Sequence, residues 1–151
     1  MEYDLEFELI TERYPYELLL LADETKEAID RYLYDADVYK VKKCGNTVAV
    51  FCLLRTDALT VELKNIAVAG AFQGKGLGSA LLSFIKELCA QTCSRLIVGT
   101  PDCAHAQLHF YRKNGFKDCD VRKDFYLRNY SEPIYENGQL LRDMLVLEYV
   151  F

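Results

Sequence analysis

The residues most able to do chemistry lie in the stretch QGKGLGSALL, Gln73 to Leu82. Gly74, Gly76 and Gly78 fall within five residues, directly before an apolar run of helical period. Glycine lets backbone N–H groups turn toward a ligand without side-chain obstruction. A helix beginning near Gly76 adds unsatisfied N–H groups and the positive end of its dipole. Together these make a site for a diphosphate, or a glycine-rich turn that caps a helix. Two known phosphate binders do not fit. The P-loop needs Ser or Thr after its Gly-Lys and a glycine five residues before it, but Gly76 follows Lys75 and no glycine stands in the required frame. The dinucleotide fingerprint needs GxGxxG directly after a strand, whereas Ser79 stands at the third glycine and AGAF intervenes before the motif.

Other reactive side chains are sparse. His105 and His109, the only histidines, are four apart and share one face of a helix. The six cysteines include no CxxC pair, so neither a zinc site nor any structural metal is expected. Most of them sit in apolar patterns and read as buried free thiols. With a net charge of −5 and no basic stripe, nucleic acid is not an expected partner. No apolar run approaches a membrane span, and MEYDLEFELI lacks the features of a signal peptide, so the expected location is cytoplasmic.

These groups need a scaffold. LEFELI reads as a strand, and PYELLLLAD and ETKEAIDRYLYDADV as two helices. VYKVKKC and TVAVFCLLR form a hairpin about Gly45-Asn46, and Thr56-Asp57 turns into the strand ALTVELKNIAV. The helix after the glycines buries Leu77, Ala80, Leu81, Phe84, Ile85, Leu88 and Cys89. RLIVGT is a short strand and AHAQLHFYRKNG a helix stopped by Asn114-Gly115. FKDCDVRKDFYLRNY and LLRDMLVLEYV are the final strands, joined by a polar loop containing SEPIYENGQ. The layout is α+β: one domain over residues 1–151, with helices covering a mixed sheet.

This order, with Gln73-x-x-Gly-x-Gly after the strand ending NIAV and FYRKNGF (Phe110 to Phe116) further on, resembles the GNAT superfamily of N-acetyltransferases over nearly the whole chain. The tail FYLRNYSEPIYENGQLLRDMLVL is similar to small bacterial members. The resemblance implies a mostly antiparallel twisted sheet of about seven strands with about four helices. It also implies acetyl transfer from acetyl-coenzyme A (acetyl-CoA) directly to a primary amine.

The cosubstrate pyrophosphate would rest on the backbone from Gln73 through Gly74, Lys75, Gly76, Leu77 and Gly78, with Ser79 as a hydroxyl donor. Ile66, Ala67 and Val68 would pair with the pantetheine arm as an added strand does. A bulge in that strand would splay it from its neighbour and aim an N–H at the thioester oxygen. Tyr111 matches the family tyrosine beside the coenzyme sulfur, as proton donor, hydrogen-bond donor or packing aromatic. Glu62 matches the glutamate base of some members; others relay the proton through water. Thr100, Asp102 or Cys103 stands where the family often has an asparagine. Asp23, Glu24, Asp35 and Asp37 lie around the helices that roof the family's acceptor pocket, either drawing in an amine or as a solvated face. A small-molecule amine is the expected acceptor, with a protein or peptide amine, or a non-catalytic acyl-CoA sensor, as the other readings. A homodimer is implied as well, with the apolar terminal strand MLVLEYVF as an edge to cover.

Overall fold

The computed structural model describes residues 4–151, so the first three residues of the expected domain lie outside it. In chain order the elements are β1 (Leu5–Ile10), α1 (Tyr16–Ala22), α2 (Lys26–Leu33), β2 (Asp37–Lys43), β3 (Asn46–Asp57) and β4 (Thr60–Val68). Then come α3 (Leu77–Ala90), β5 (Arg95–Pro101), α4 (His105–Lys113), β6 (Lys117–Arg122), α5 (Phe125–Asn129), β7 (Tyr135–Glu136), β8 (Gln139–Leu140) and β9 (Met144–Val150).

Seven strands form one sheet in the order β1-β2-β3-β4-β5-β9-β6, with β7 and β8 as a separate ribbon. Only β4 and β5 run parallel within it. The sheet has two apolar faces. On one, α3 and α4 pack Leu81, Leu82, Ile85, Leu108 and Tyr111 against Phe51, Leu63, Val98 and Leu147. On the other, α1 and α2 pack Leu19, Ile29, Tyr32 and Leu33 against Val38, Val50, Cys52 and Ala67. A third cluster around Tyr126, Leu141 and Met144 covers the far end.

Several local expectations are corrected. The first hairpin turns at Cys44-Gly45, because Lys43 pairs with Asn46 and both intervening residues have positive φ, 52° and 79°. That is the conformation whose twist matches a two-residue hairpin. Likewise β3 continues through Asp57, and Asp57 Oδ1 accepts a 2.8 Å bond from Leu59 N–H in the turn. The segment expected as one strand from Phe116 to Tyr130 breaks at Asp124, whose φ is 54°, and continues as α5. Its N–H donates to Asp143 Oδ1 at 2.8 Å, which fixes the break. The expected polar loop contains the β7–β8 hairpin, turned by Asn137 (φ 50°) and Gly138 (φ 78°).

The terminal strand is not an edge: β9 pairs with β5 on one side and β6 on the other. The edges are β1 and β6. Of the six free cysteines, only Cys52 and Cys89 are buried, and Cys44 and Cys119 are exposed. Burial pushes the Cys52 and Cys89 thiols up to about 12, so both remain protonated.

Candidate active site

The site is built where β4 and β5 part. Their pairing runs only from Thr60 to Leu63 on β4. Just beyond, the β3–β4 register slips: Leu53 faces Leu63 but Cys52 faces Asn65, leaving Lys64 as an extra bulged residue. A bulge reverses which face the following side chains meet. Val61 and Leu63 join the α3/α4 face, and so do Ile66 and Val68 after the bulge. Glu62 and Asn65, three apart, therefore come to the α1/α2 face together. From Asn65 to Val68, β4 pairs with β3 on one edge, while its ladder to β5 has already ended. The backbone of Ile66, Ala67 and Val68 thus lies on the strand edge that an extended ligand could join.

The glycine stretch follows at the end of β4. Gln73 Nε2 donates to Val68 O at 2.8 Å, hooking the loop onto the strand. Gly74 has φ 72° with open space beside it, and Gly76 has φ 81° as the N-cap of α3. The first bond into the helix runs from Ala80 N–H to Gly76 O, 3.2 Å. The N–H groups of Leu77, Gly78 and Ser79 accordingly have no intrahelical acceptor. Leu77 is buried in the core, while Gln73, Gly74, Lys75 and Gly76 are exposed. Gly78 is explained by packing as well: a Cβ there would lie 3.1 Å from Phe110 Cζ. Ser79 Oγ accepts from Asn114 Nδ2 at 3.3 Å, which ties the glycine stretch to the segment FYRKNGF. These features fit a diphosphate followed by an extended arm.

Residues of both helical layers line one cleft of about 540 Å³. Tyr111, Val98 and Thr100 bound it on one side, and Tyr32, Asp23, Glu24 and Tyr130 on the other. Tyr111 is 6% exposed, and burial pushes its phenol up, so it stays protonated as a donor. Glu62 is 5% exposed. Arg122 grips it with both arms, Nη1 to Oε2 and Nη2 to Oε1, each 3.0 Å, and Lys64 Nζ stands 3.3 Å from Oε2. Burial alone would raise its proton affinity; the hydrogen bonds from Arg122 and the Lys64 charge outweigh that and hold it below the usual carboxylate range.

On the opposite wall a second carboxylate is fixed. Asp23 accepts from Tyr130 OH at 2.7 Å, Tyr32 OH at 3.1 Å and Glu24 N–H at 2.7 Å. Asn65 Nδ2 donates to Tyr32 OH at 3.1 Å and to Leu19 O at 3.0 Å, bracing the wall from the β4 side. Burial raises Glu24, with Glu136 and Asp23 adding like charge.

Not every candidate side chain lies in the cleft. His105 and His109 are exposed on α4, and Asp35 and Asp37 are exposed beyond α2. Thr100 is buried in the cleft wall, whereas Asp102 and Cys103 lie in the turn before α4. Arg122, Asn65, Tyr32 and Tyr130 had no motif to mark them. Among the described residues, no group of three or more His, Cys, Asp or Glu is placed to hold a metal ion, and no helix is long and apolar enough to cross a membrane.

A seven-stranded, mostly antiparallel sheet parted beside a glycine-rich helix start defines an acyl-CoA-dependent transferase. The family model described as an acetyltransferase (GNAT) domain matches residues 33–118. The Bacillus subtilis (strain 168) protein described as uncharacterized N-acetyltransferase YvbK is 39% identical over 133 residues, covering 87% of this chain and 86% of its own. A GNAT family acetyltransferase from Elizabethkingia anophelis, solved with acetyl-CoA bound, superposes with a TM-score of 0.91 at 37% identity, over 99% of this chain and 100% of that one. A Bacillus subtilis acetyltransferase in complex with CoA gives 0.86 at 37% identity, over 98% and 99%. The chain belongs to the GNAT acetyltransferases, and acetyl-CoA is its acetyl donor.

Proposed function

We propose that the acceptor is a primary amine on a small molecule and that transfer is direct. The observation that carries this reading is the closure of the acceptor side. The Tyr130–Asp23 hydrogen bond joins the end of α1 to the segment after α5, and Arg31 on α2 donates to the Asn129 carbonyl at the end of α5. A cleft of about 540 Å³ with such a cover suits a small amine better than a polypeptide chain.

Glu62 takes up the acceptor's proton, directly or through water, so that the neutral amine attacks the acetyl carbonyl. The new C–N bond forms, the C–S bond breaks, and Tyr111 supplies the proton that converts the departing thiolate to a thiol. The second proton leaves nitrogen after attack; of this proton and the one on Glu62, one in effect restores Tyr111 and the other is released to solvent, so that Glu62 is again a carboxylate. A backbone N–H beside the Lys64 bulge stabilises the oxyanion. The residues from Gln73 to Ser79 hold the pyrophosphate, and Ile66, Ala67 and Val68 hold the pantetheine arm.

The test is acetyl-CoA-dependent thiol release across a panel of small amines and of short peptides with free N-termini. Release with small amines and not with peptides is expected. Peptide-only release would assign a protein acceptor, and acetyl-CoA binding without any release would assign a sensor.

A further inference from the structure

Arg122 and Glu62 are partners across an unusual span. Glu62 lies on β4 and Arg122 on β6, with β5 and β9 between them in the sheet. The arginine must therefore lie flat over two strands to reach the carboxylate. Two residues make room for it. Gly99 on β5 carries no side chain, and a Cβ there would fall 2.2 Å from the Met144 sulfur. Met144 on β9 fills that space, and its sulfur stands 3.5 Å from Arg122 Nη1. Met144 thus packs beside the guanidinium that grips the Glu62 carboxylate.

We propose that Arg122 is the positioning residue of the transfer reaction: by gripping both Glu62 oxygens from across the sheet, it fixes the carboxylate's orientation at the cleft wall. The proposal rests on the reading of Glu62 as the group that takes up the acceptor's proton. A planar guanidinium matched to a carboxylate fixes direction as well as charge, which an ammonium does not.

Glu62 touches two cations, Arg122 and Lys64. The other charges bounding the cleft are the carboxylates Asp23, Glu24 and Glu136 and the guanidinium of Arg31. The phenols of Tyr32, Tyr111, Tyr126 and Tyr130 complete the titratable set there. Along the strands lie the Arg95–Glu148 pair, and Asp120 and Cys119 next to Arg122. Burial favours a proton on Glu62, and the two cations in contact oppose it. Without Arg122, Lys64 alone would oppose the effect of burial on Glu62, and no group would fix the direction of its oxygens.

The experiment is a carbon-13 NMR titration of the Glu62 carboxyl, assigned with Glu62→Gln, in the wild type, Arg122→Met and Arg122→Lys, alongside steady-state kinetics. Arg122→Met should raise the Glu62 titration by about 1–3 pH units, and Arg122→Lys should restore part of the shift. Arg122→Met should lower kcat by about tenfold or more with the KM for acetyl-CoA unchanged, because the carboxylate loses its fixed direction toward the acceptor. In the Glu62→Gln background the same change should alter kcat by less than about twofold, because a positioning residue acts only through its partner. An unmoved titration, or an equal loss of kcat in both backgrounds, would overturn the proposal. Should Arg122→Met fail to fold, the Arg122→Lys titration carries the same test, because it keeps a charge opposite the carboxylate while removing the two-armed grip. A wild type that turns over no amine would overturn the functional reading alone, because the titration still reports on the clamp without turnover.

Discussion

Tyr130 donates a 2.7 Å hydrogen bond to Asp23 across 107 positions of sequence. It makes one carboxylate the meeting point of the helical roof and the C-terminal cover, since Tyr32 holds the other oxygen at 3.1 Å. Among the described residues, the donors holding Asp23 are two phenols and a backbone N–H, none of them a cation. An ammonium acceptor, as proposed, would supply the charge this carboxylate lacks. Asp23→Asn should raise the KM for a cationic amine about tenfold or more, as expected for a hydrogen bond to a charged group, and leave the KM for acetyl-CoA unchanged. Steady-state kinetics with each substrate varied in turn checks this.

Gly76→Asp should weaken acetyl-CoA binding by about tenfold or more, because it sets a negative charge where the N-terminus of α3 offers its positive end. Gly76→Asn meets the same backbone requirement at φ 81° without the charge, and should lose much less. Titration calorimetry with acetyl-CoA separates the two; equal affinities for both variants and the wild type would remove the site from this stretch.

Tyr111→Phe should lower kcat by about a hundredfold with acetyl-CoA affinity retained, if its phenol supplies the leaving-group proton. The active form is the protonated one. Burial raises the phenol above its ordinary value of about 10, so Tyr111 contributes no alkaline fall in activity below that pH. A pH–rate profile of wild type against Tyr111→Phe reads both. Equal turnover would make this tyrosine a packing residue only.

Gly99→Ala tests the packing beneath the Arg122–Glu62 pair. The new methyl would fall 2.2 Å from the Met144 sulfur and 2.9 Å from its Cγ. Overpacking of this kind costs about 1–3 kcal/mol, read as a lowered thermal midpoint. Met144→Ala in the same chain should recover part of the loss by reopening the space.

The sheet and its main helices were legible because their periods are long. The helix Leu77–Ala90 shows its stripe over four turns, and the strands carry runs of Val, Ile and Leu. The glycine stretch was legible from residue type alone, since Gly74 and Gly76 both need positive φ. Short elements were not. Five residues of α5 are too few for a helical period to emerge, and the left-handed Asp124 before it has no strong sequence signal. The β7–β8 hairpin did carry one, Asn137-Gly138, inside a segment otherwise read as loop. Arg122 was hidden for a different reason. Its partner lies 60 positions away with two strands between, and the pairing depends on β9 entering between β5 and β6. Neither spacing nor composition encodes that insertion. The Lys64 bulge was expected only through resemblance, yet it alone brings Glu62 and Asn65 to one face.

The most direct test of the central claim is the mass of the products formed from acetyl-CoA and a panel of small primary amines. The account predicts a singly acetylated amine and free coenzyme A in equal amounts for at least one of them, with Gly76→Asp strongly impaired. Coenzyme bound but no small amine acetylated, whether only peptides react or nothing does, would contradict it.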